Sequence, residues 1–189
     1  TLDPGVEGVL PICIGQATRI AEYLTDAGKT YEAVVSLGRT TTTEDAEGET
    51  VEAHDQFQSY TRAQILQALA SLTGEIEQTP PMFSAVKVNG KKLYEYARAG
   101  QTVERPTRKI TIYELELLSE GDVFEGDEVQ FSIRIKCSKG TYIRTLAVQI
   151  GEALGVPAHM HELVRTMSGT FHTGNCLTLA QVAEKMEQG

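Results

Sequence analysis

The sequence predicts an α+β domain, a mixed and largely antiparallel sheet flanked by helices, with a basic insertion. Three observations predict it. Val129, Phe131, Ile133, Ile135 and Cys137 alternate with Gln130, Ser132, Arg134 and Lys136, the period-two pattern of a half-buried strand. Beyond the Lys139-Gly140 break, Ile143, Leu146, Ala147, Ile150 and Leu154 recur at helical spacing, and Gly155 stands where a helix end favours a residue without Cβ. Elsewhere strands and helices follow one another through hairpins, without the βαβ rhythm of a parallel sheet.

Asp3-Pro4 predicts a turn, because a residue before proline is held out of the α region. Thr18 to Ala27 reads as a short helix through Ile20, Tyr23, Leu24 and Ala27, closed by Gly28. Tyr31, Ala33, Val35 and Leu37 alternate as a strand with Tyr31 at its mouth, a position that suits core packing as well as function. Arg39 to Asp55 reads as a polar, acidic loop. Thr61 and Gln64 form a capping box ahead of a helix through Ile65, Leu66, Leu69 and Leu72.

Pro80-Pro81 ends that region. Phe83 to Val88 reads as a short strand, Asn89-Gly90 as a hairpin turn, and Lys91 to Arg98 as a basic helical turn closed at Gly100. Ile110, Ile112, Glu114 and Glu116 then share one strand face, with Leu115 and Leu117 on the other. His159 and His161 share a strand face further on, and Thr178 and Gln181 cap a last helix through Leu179, Val182 and Met186.

The junction of the central strand and its helix carries the chemistry. Lys139, Thr141, Tyr142 and Arg144 fall where a helix start directs backbone N–H groups and a permanently charged guanidinium toward one spot. That arrangement holds an anion, unless Arg144 is simply a solvated first-turn residue. The net charge of −9 argues against general polyanion binding only as an average. Glu44 to Asp55 holds six acids and Glu120 to Glu128 five, whereas Pro80 to Lys109 holds seven basic residues against two acidic ones. Segregation of this kind permits a local basic face that meets nucleic acid. Lys91 to Arg98 interleaves cations with Tyr94 and Tyr96, which suits stacked bases and phosphates.

Other classes fall away. No P-loop or dinucleotide fingerprint occurs, no apolar run approaches a membrane span, and no signal-peptide pattern opens the sequence. Cys13, Cys137 and Cys176 are odd in number and widely spaced, as expected of reduced cytoplasmic thiols rather than disulfides or zinc ligands. His159 and His161 lack a third ligand at convincing spacing, so no metal is expected.

Together these segments resemble the TruB-type pseudouridine synthase family. Thr1-Leu2-Asp3-Pro4 with Gly8-Val9-Leu10-Pro11 resembles its T-L-D-P-x-x-x-G-x-L-P box, and Lys29-Thr30-Tyr31 its K-x-Y strand. Lys139 to Thr145 resembles its K-G-T-Y-I-R-T motif, and Phe83-Ser84-Ala85 its Tyr-Ser-Ala. Gly90 to Arg98 resembles its RNA-gripping insertion, and Leu163, Arg165-Thr166 and Gly169 with Phe171 its L-x-R-[TR]-x-x-G-x-F strand.

The resemblance implies the pseudouridine synthase fold and isomerisation of one uridine in the T loop of tRNA, without cofactor. Asp3 would be the catalytic carboxylate, Arg144 its partner, and Tyr31 the residue stacked on the flipped uracil. Asp45 would brace the Tyr and Arg, while Leu163 and Tyr142 would line the pocket. Lys139, Lys87, Lys91, Lys92 and Arg98 are the expected RNA contacts, offsetting the few kcal/mol of base flipping. Residues 1–189 would be the catalytic domain and residues 80–108 its insertion. Against the family pattern the N-terminal K-P-x-G-x-T-S region, the G-x-T-G before Thr1 and the C-terminal PUA domain are expected to be lacking. Thr42 replaces a usual aspartate and Val164 a frequent arginine. The implied enzyme is cytoplasmic and independent of membrane or protein partners.

Three other readings compete. The chain is alternatively a non-catalytic tRNA-binding or tRNA-folding module, or a guide-RNA-dependent rRNA pseudouridine synthase. A metal hydrolase on His159, His161 and Asp45 is the third, and it predicts stoichiometric metal.

Overall fold

The structure, a computed structural model, describes residues 2–187; Thr1 of the first box lies outside them. A two-residue strand β1 (Glu7–Gly8) is followed by a 3₁₀ turn and helix α1 (Ala21–Asp26). Strand β2 (Lys29–Leu37) leads to a small hairpin of β3 (Arg39–Thr41) and β4 (Thr50–Ala53), then β5 (Gln58–Thr61), helix α2 (Arg62–Ser71) and β6 (Gly74–Gln78). The insertion holds β7 (Lys87–Val88), β8 (Lys91–Lys92) and α3 (Leu93–Arg98). Then come β9 (Arg108–Leu117), β10 (Val123–Gly126), β11 (Val129–Cys137), helix α4 (Ile143–Leu154), β12 (Ala158–Ser168), β13 (Phe171–His172) and helix α5 (Leu179–Glu187).

The main sheet runs β1-β12-β2-β11-β9-β6, with β13 paired to β12. Only the β1–β12 pairing is parallel among these strands, so the fold is α+β and largely antiparallel, as the sequence predicts. One face is apolar. Val129, Phe131, Ile133, Ile135 and Cys137 point into it together with Ala33, Val35 and Leu37 of β2. Ile65 and Leu69 of α2, and Leu146, Ala147 and Ile150 of α4, close over it. Each fully buried aliphatic contributes about 1.5–3 kcal/mol, which makes this layer the main source of stability. The opposite face is charged, with Arg134 bridging Glu32 at 3.0 Å and Glu116 at 2.9 Å.

Local signals match their elements. Thr61 Oγ1 accepts from the Gln64 N–H at 3.3 Å and Gln64 Oε1 accepts from the Thr61 N–H at 2.8 Å, completing the capping box of α2. Thr178 and Gln181 do the same for α5. Asn89 and Gly90 both adopt positive φ, at 50° and 83°, as a primed two-residue hairpin turn requires. Burial pushes the Cys137 thiol up to about 11, consistent with a core residue, and no cysteine among the described residues is in a disulfide.

Several expectations need correction. The Thr18–Ala27 helix is a 3₁₀ turn followed by one short α segment, ended at an extended Ala27 rather than at Gly28. It buries nothing, since Ile20 and Tyr23 face outward. The Arg39–Asp55 loop contains the β3–β4 hairpin; every residue of β4 is exposed, so no buried alternation betrayed it. Within Phe83–Val88 only the last two residues form a strand, because the Ser84 and Val86 carbonyls accept instead from Tyr94 and Leu93. Ile110, Ile112, Leu115 and Leu117 lie on one face, not two. The β9 register skips Tyr113, placing Ile112 opposite Cys137 and Glu114 opposite Lys136, and this bulge resets the phase.

Candidate active site

Two chain segments distant in sequence meet at the start of α4. Gly140, at φ 77°, turns the chain off β11, and Tyr142 follows in extended conformation as the helix N-cap. Tyr142 is fixed by Gln78, which accepts from its N–H at 3.0 Å and donates to its carbonyl at 3.2 Å. Arg144 therefore enters the interior. It is 5% exposed, which rules out the solvated first-turn reading.

The Arg144 guanidinium is tied on several sides. Nη1 donates to the Thr43 carbonyl at 2.9 Å and Nη2 to the Phe83 carbonyl at 3.0 Å. Nη2 also stands 2.7 Å from Oδ2 of Asp3, and Nη1 is 3.9 Å from Oδ2 of Asp45. Asp45 is itself held, accepting from Thr43 Oγ1 at 2.5 Å and from the Glu47 N–H at 3.0 Å. The fork of donors thus has fixed acceptors behind it and a half-exposed carboxylate, Asp3, in front.

Asp3 arrives through β1. Gly8 pairs with Arg165 of β12, and the Val9 N–H donates to the Arg165 carbonyl at 2.8 Å. Gly8 has φ 115°, and a Cβ there would lie 2.2 Å from the Arg165 carbonyl oxygen. Only glycine permits this approach. The Arg165 side chain, also buried, returns a bond from Nε to the Val9 carbonyl at 2.8 Å. Burial raises the Tyr31 hydroxyl above its ordinary range, opposed by the neighbouring Arg165 guanidinium.

Asp3, Tyr31, Tyr142, Arg144 and Leu163 line one pocket of about 220 Å³, joined by Ser84 and Arg165. The volume suits a single base. A larger groove of about 630 Å³ shares Tyr31, Thr141 and Arg165 with it and is flanked by Arg108 and Lys109. Lys139 lines that groove, not the small pocket, and its Nζ is 2.7 Å from Asp26. Lys87, Lys91 and Arg98 are exposed on the insertion and Lys92 is half-buried; none of the four lines the pocket. Lys91 stands over Tyr96, and Lys92 and Arg98 over Tyr94, at 5.2–5.8 Å from the rings.

Residues outside the expected set also belong here. Glu44, at φ 63°, accepts from Thr145 Oγ1 at 2.7 Å, and burial raises its carboxyl above the usual range. Ser84 is buried with an Oγ that has no hydrogen-bond partner among the described residues. Arg165 had a readable signal, a cation in phase with the core residue Leu163. The trio His159, His161 and Asp45 does not assemble, because Asp45 is engaged by Thr43, Glu47 and Arg144.

Comparison with known proteins identifies the class first. The "Crystal Structure of a Cbf5-Nop10-Gar1 Complex" superposes with a TM-score of 0.66 at 34% identity, over 97% of this chain and 43% of that one. The "Structure of H/ACA RNP bound to a substrate RNA containing 2'-deoxyuridine" gives 0.65 at 28% identity, over 100% and 45%. The fold is that of the pseudouridine synthases in these complexes. Residues 1–143 match the family model described as TruB family pseudouridylate synthase, N terminal domain, and the chain belongs to that family. Residues 144–188 match the tRNA pseudouridylate synthase B C-terminal domain. Curated proteins named tRNA pseudouridine synthase B are 61% identical in Geobacillus thermodenitrificans and 60% in Bacillus cereus, over the full 189 residues. The chain spans 63% and 62% of their lengths.

Proposed function

We propose that this chain isomerises a uridine in the T loop of tRNA to pseudouridine, through Asp3 acting on a flipped-out nucleotide. The observation that carries the reading is the Asp3 carboxylate, 2.7 Å from buried Arg144 at a base-sized pocket that also presents Tyr31 and Leu163. The names of the curated relatives support tRNA as the substrate.

The reaction exchanges one bond for another. C1′–N1 breaks, C1′–C5 forms, the C5 proton leaves and N1 takes one up, so no oxidant or reductant is consumed. Positive character develops at C1′ as the glycosidic bond breaks, and an adjacent carboxylate stabilises it. Arg144, fixed by two backbone carbonyls, aims that carboxylate. Tyr31 offers a ring face to the uracil and a hydroxyl within reach of the C5 proton, while Leu163 and Tyr142 close the pocket around the base. Asp45 braces the guanidinium from behind. The orphan Ser84 hydroxyl is available to an edge of the base.

Residues 1–189 act as the catalytic domain in this reading, and residues 80–108 as the insertion whose Lys87, Lys91, Lys92 and Arg98 grip phosphates, joined by Lys139 beside the pocket. The reaction is cytoplasmic and needs no cofactor, guide RNA or protein partner. Tritium release from 5-[³H]-uridine in a bare T-stem-loop RNA tests it. The chain should release tritium, and Asp3→Asn should abolish release while RNA binding persists. Turnover surviving Asp3→Asn would refute the role of Asp3, and dependence on a guide RNA would shift the reading to the rRNA class.

A further inference from the structure

The two histidines left without a role by the active site sit at the far end of β12, on the sheet face away from the core. The β12 register against β2 skips His161, with Met160 opposite Val35 and Glu162 opposite Val34. This bulge brings the imidazoles of His159 and His161 to 6.3 Å between centroids, near-perpendicular at 68°. Glu128, just before β11, completes a trio whose ligand atoms all lie within 4.8 Å of one another.

The hydrogen-bond pattern is that of a ligand set. His159 is fully buried, and its Nδ1 lies 3.0 Å from the Arg39 carbonyl. A carbonyl only accepts, so Nδ1 carries the proton and Nε2 presents its lone pair. That Nε2, and Nδ1 of His161, are buried without a hydrogen-bond partner among the described residues. Two inward nitrogens with nothing to bind are costly in any fold. A carbonyl fixing the tautomer of the second nitrogen is the usual support behind a metal-bound imidazole. Glu128 is steadied by the Ser36 hydroxyl, which donates to Oε1, and by Gln130 at 3.5 Å. It is also the exposed member, and gives the site an entry from solvent.

We propose that His159, His161 and Glu128 form a binding site for a divalent transition metal of the zinc class. Two imidazoles and one carboxylate suit zinc, whereas magnesium and calcium favour oxygen ligands. A tetrahedral site with bonds of about 2.1 Å has ligands about 3.4 Å apart, so the side chains close by roughly an ångström on binding. The Arg39 guanidinium, with Nε 3.9 Å from Oε2 of Glu128, is the ionic partner the metal displaces. The site clamps β12 to the start of β11. It also adjoins Met160, whose N–H donates to the Glu44 carbonyl at 3.0 Å, so it braces the loop that carries Asp45.

The test titrates ZnCl₂ into the EDTA-stripped chain by calorimetry, with CoCl₂ absorption as a second readout. One equivalent should bind and raise the melting temperature by several degrees. His161→Asn and Glu128→Gln, both outside the core, should fold without metal and each weaken zinc binding at least about 10-fold. Cys13→Ser and Cys176→Ser should leave it unchanged. Absence of zinc binding, binding retained in both ligand variants, a thiolate charge-transfer band with cobalt, or equal affinity for magnesium would each overturn the proposal.

Discussion

Oδ2 of Asp3 and Nη2 of Arg144 stand 2.7 Å apart, although 140 residues of sequence separate them and only Asp3 is open to solvent. The guanidinium has no slack, because its other bonds go to the Thr43 and Phe83 carbonyls. Arg144→Lys keeps the charge, but its three donors spring from one nitrogen and cannot reach acceptors spread across the two arms of the guanidinium fork. Tritium release should fall about 100-fold or more in kcat, and urea unfolding should show a loss of about 2–3 kcal/mol from the stranded carbonyls. Wild-type turnover in the lysine variant would separate the site from this geometry.

Gly8→Ala is expected to cost about 2–4 kcal/mol, since the added methyl meets the Arg165 backbone at 2.2 Å. Activity should fall with stability, because β1 delivers Asp3. Thermal unfolding reads the first and tritium release the second.

Glu44 gives a pH signature. Burial raises its carboxyl above the unfolded value, so the folded chain holds the proton to higher pH. Stability from this group is therefore greatest below the ordinary carboxylate range, and declines as pH rises through the raised value. Glu44→Gln keeps an acceptor for Thr145 Oγ1 and removes the ionisation. In urea unfolding the variant should gain on wild type at pH 7 relative to pH 4. A difference independent of pH would contradict this origin.

Charge reversal at Lys91 and Lys92 tests the insertion. If they meet phosphates, log affinity for T-stem-loop RNA should fall less steeply with log salt in the double Glu variant, by about 1–2 in slope. Their tyrosine contacts at 5.4 and 5.8 Å are surface interactions, so folding should be little changed. An unaltered slope would mark the patch as solvated surface.

The central strand, its helix, the capping boxes and the Asn-Gly turn were legible because each rests on a local pattern. Strand phase was harder to follow. In β9 the change of phase between Ile112 and Leu115 was visible, but two faces and one bulge give the same string of letters. Only the Cys137 pairing distinguishes them. β12 repeats the device at His161, which keeps Met160, Leu163 and Arg165 in phase, and at Thr166, which brings buried Ser168 into the same phase. Asp3, Tyr31 and Arg144 stood out through motifs. Glu44 did not, since it acts through a turn at positive φ, and although Ser84 lies in the Phe83-Ser84-Ala85 box, only its unpaired hydroxyl singles it out. The main-chain acceptors of Arg144 carry no side-chain signature at all.

The parallel pairing of β1 with β12 has a consequence for biosynthesis. Asp3 is synthesised before the strand edge that seats it, Val164 and Arg165, and before its counter-charge, Arg144. A nascent chain that has not reached Arg165 has the carboxylate and nowhere to dock it. The seat of Asp3 is therefore completed in one step, the synthesis of β12. Products terminated upstream of β12 lack that seat, and the seating of Asp3 doubles as a report that β12 has joined the main sheet.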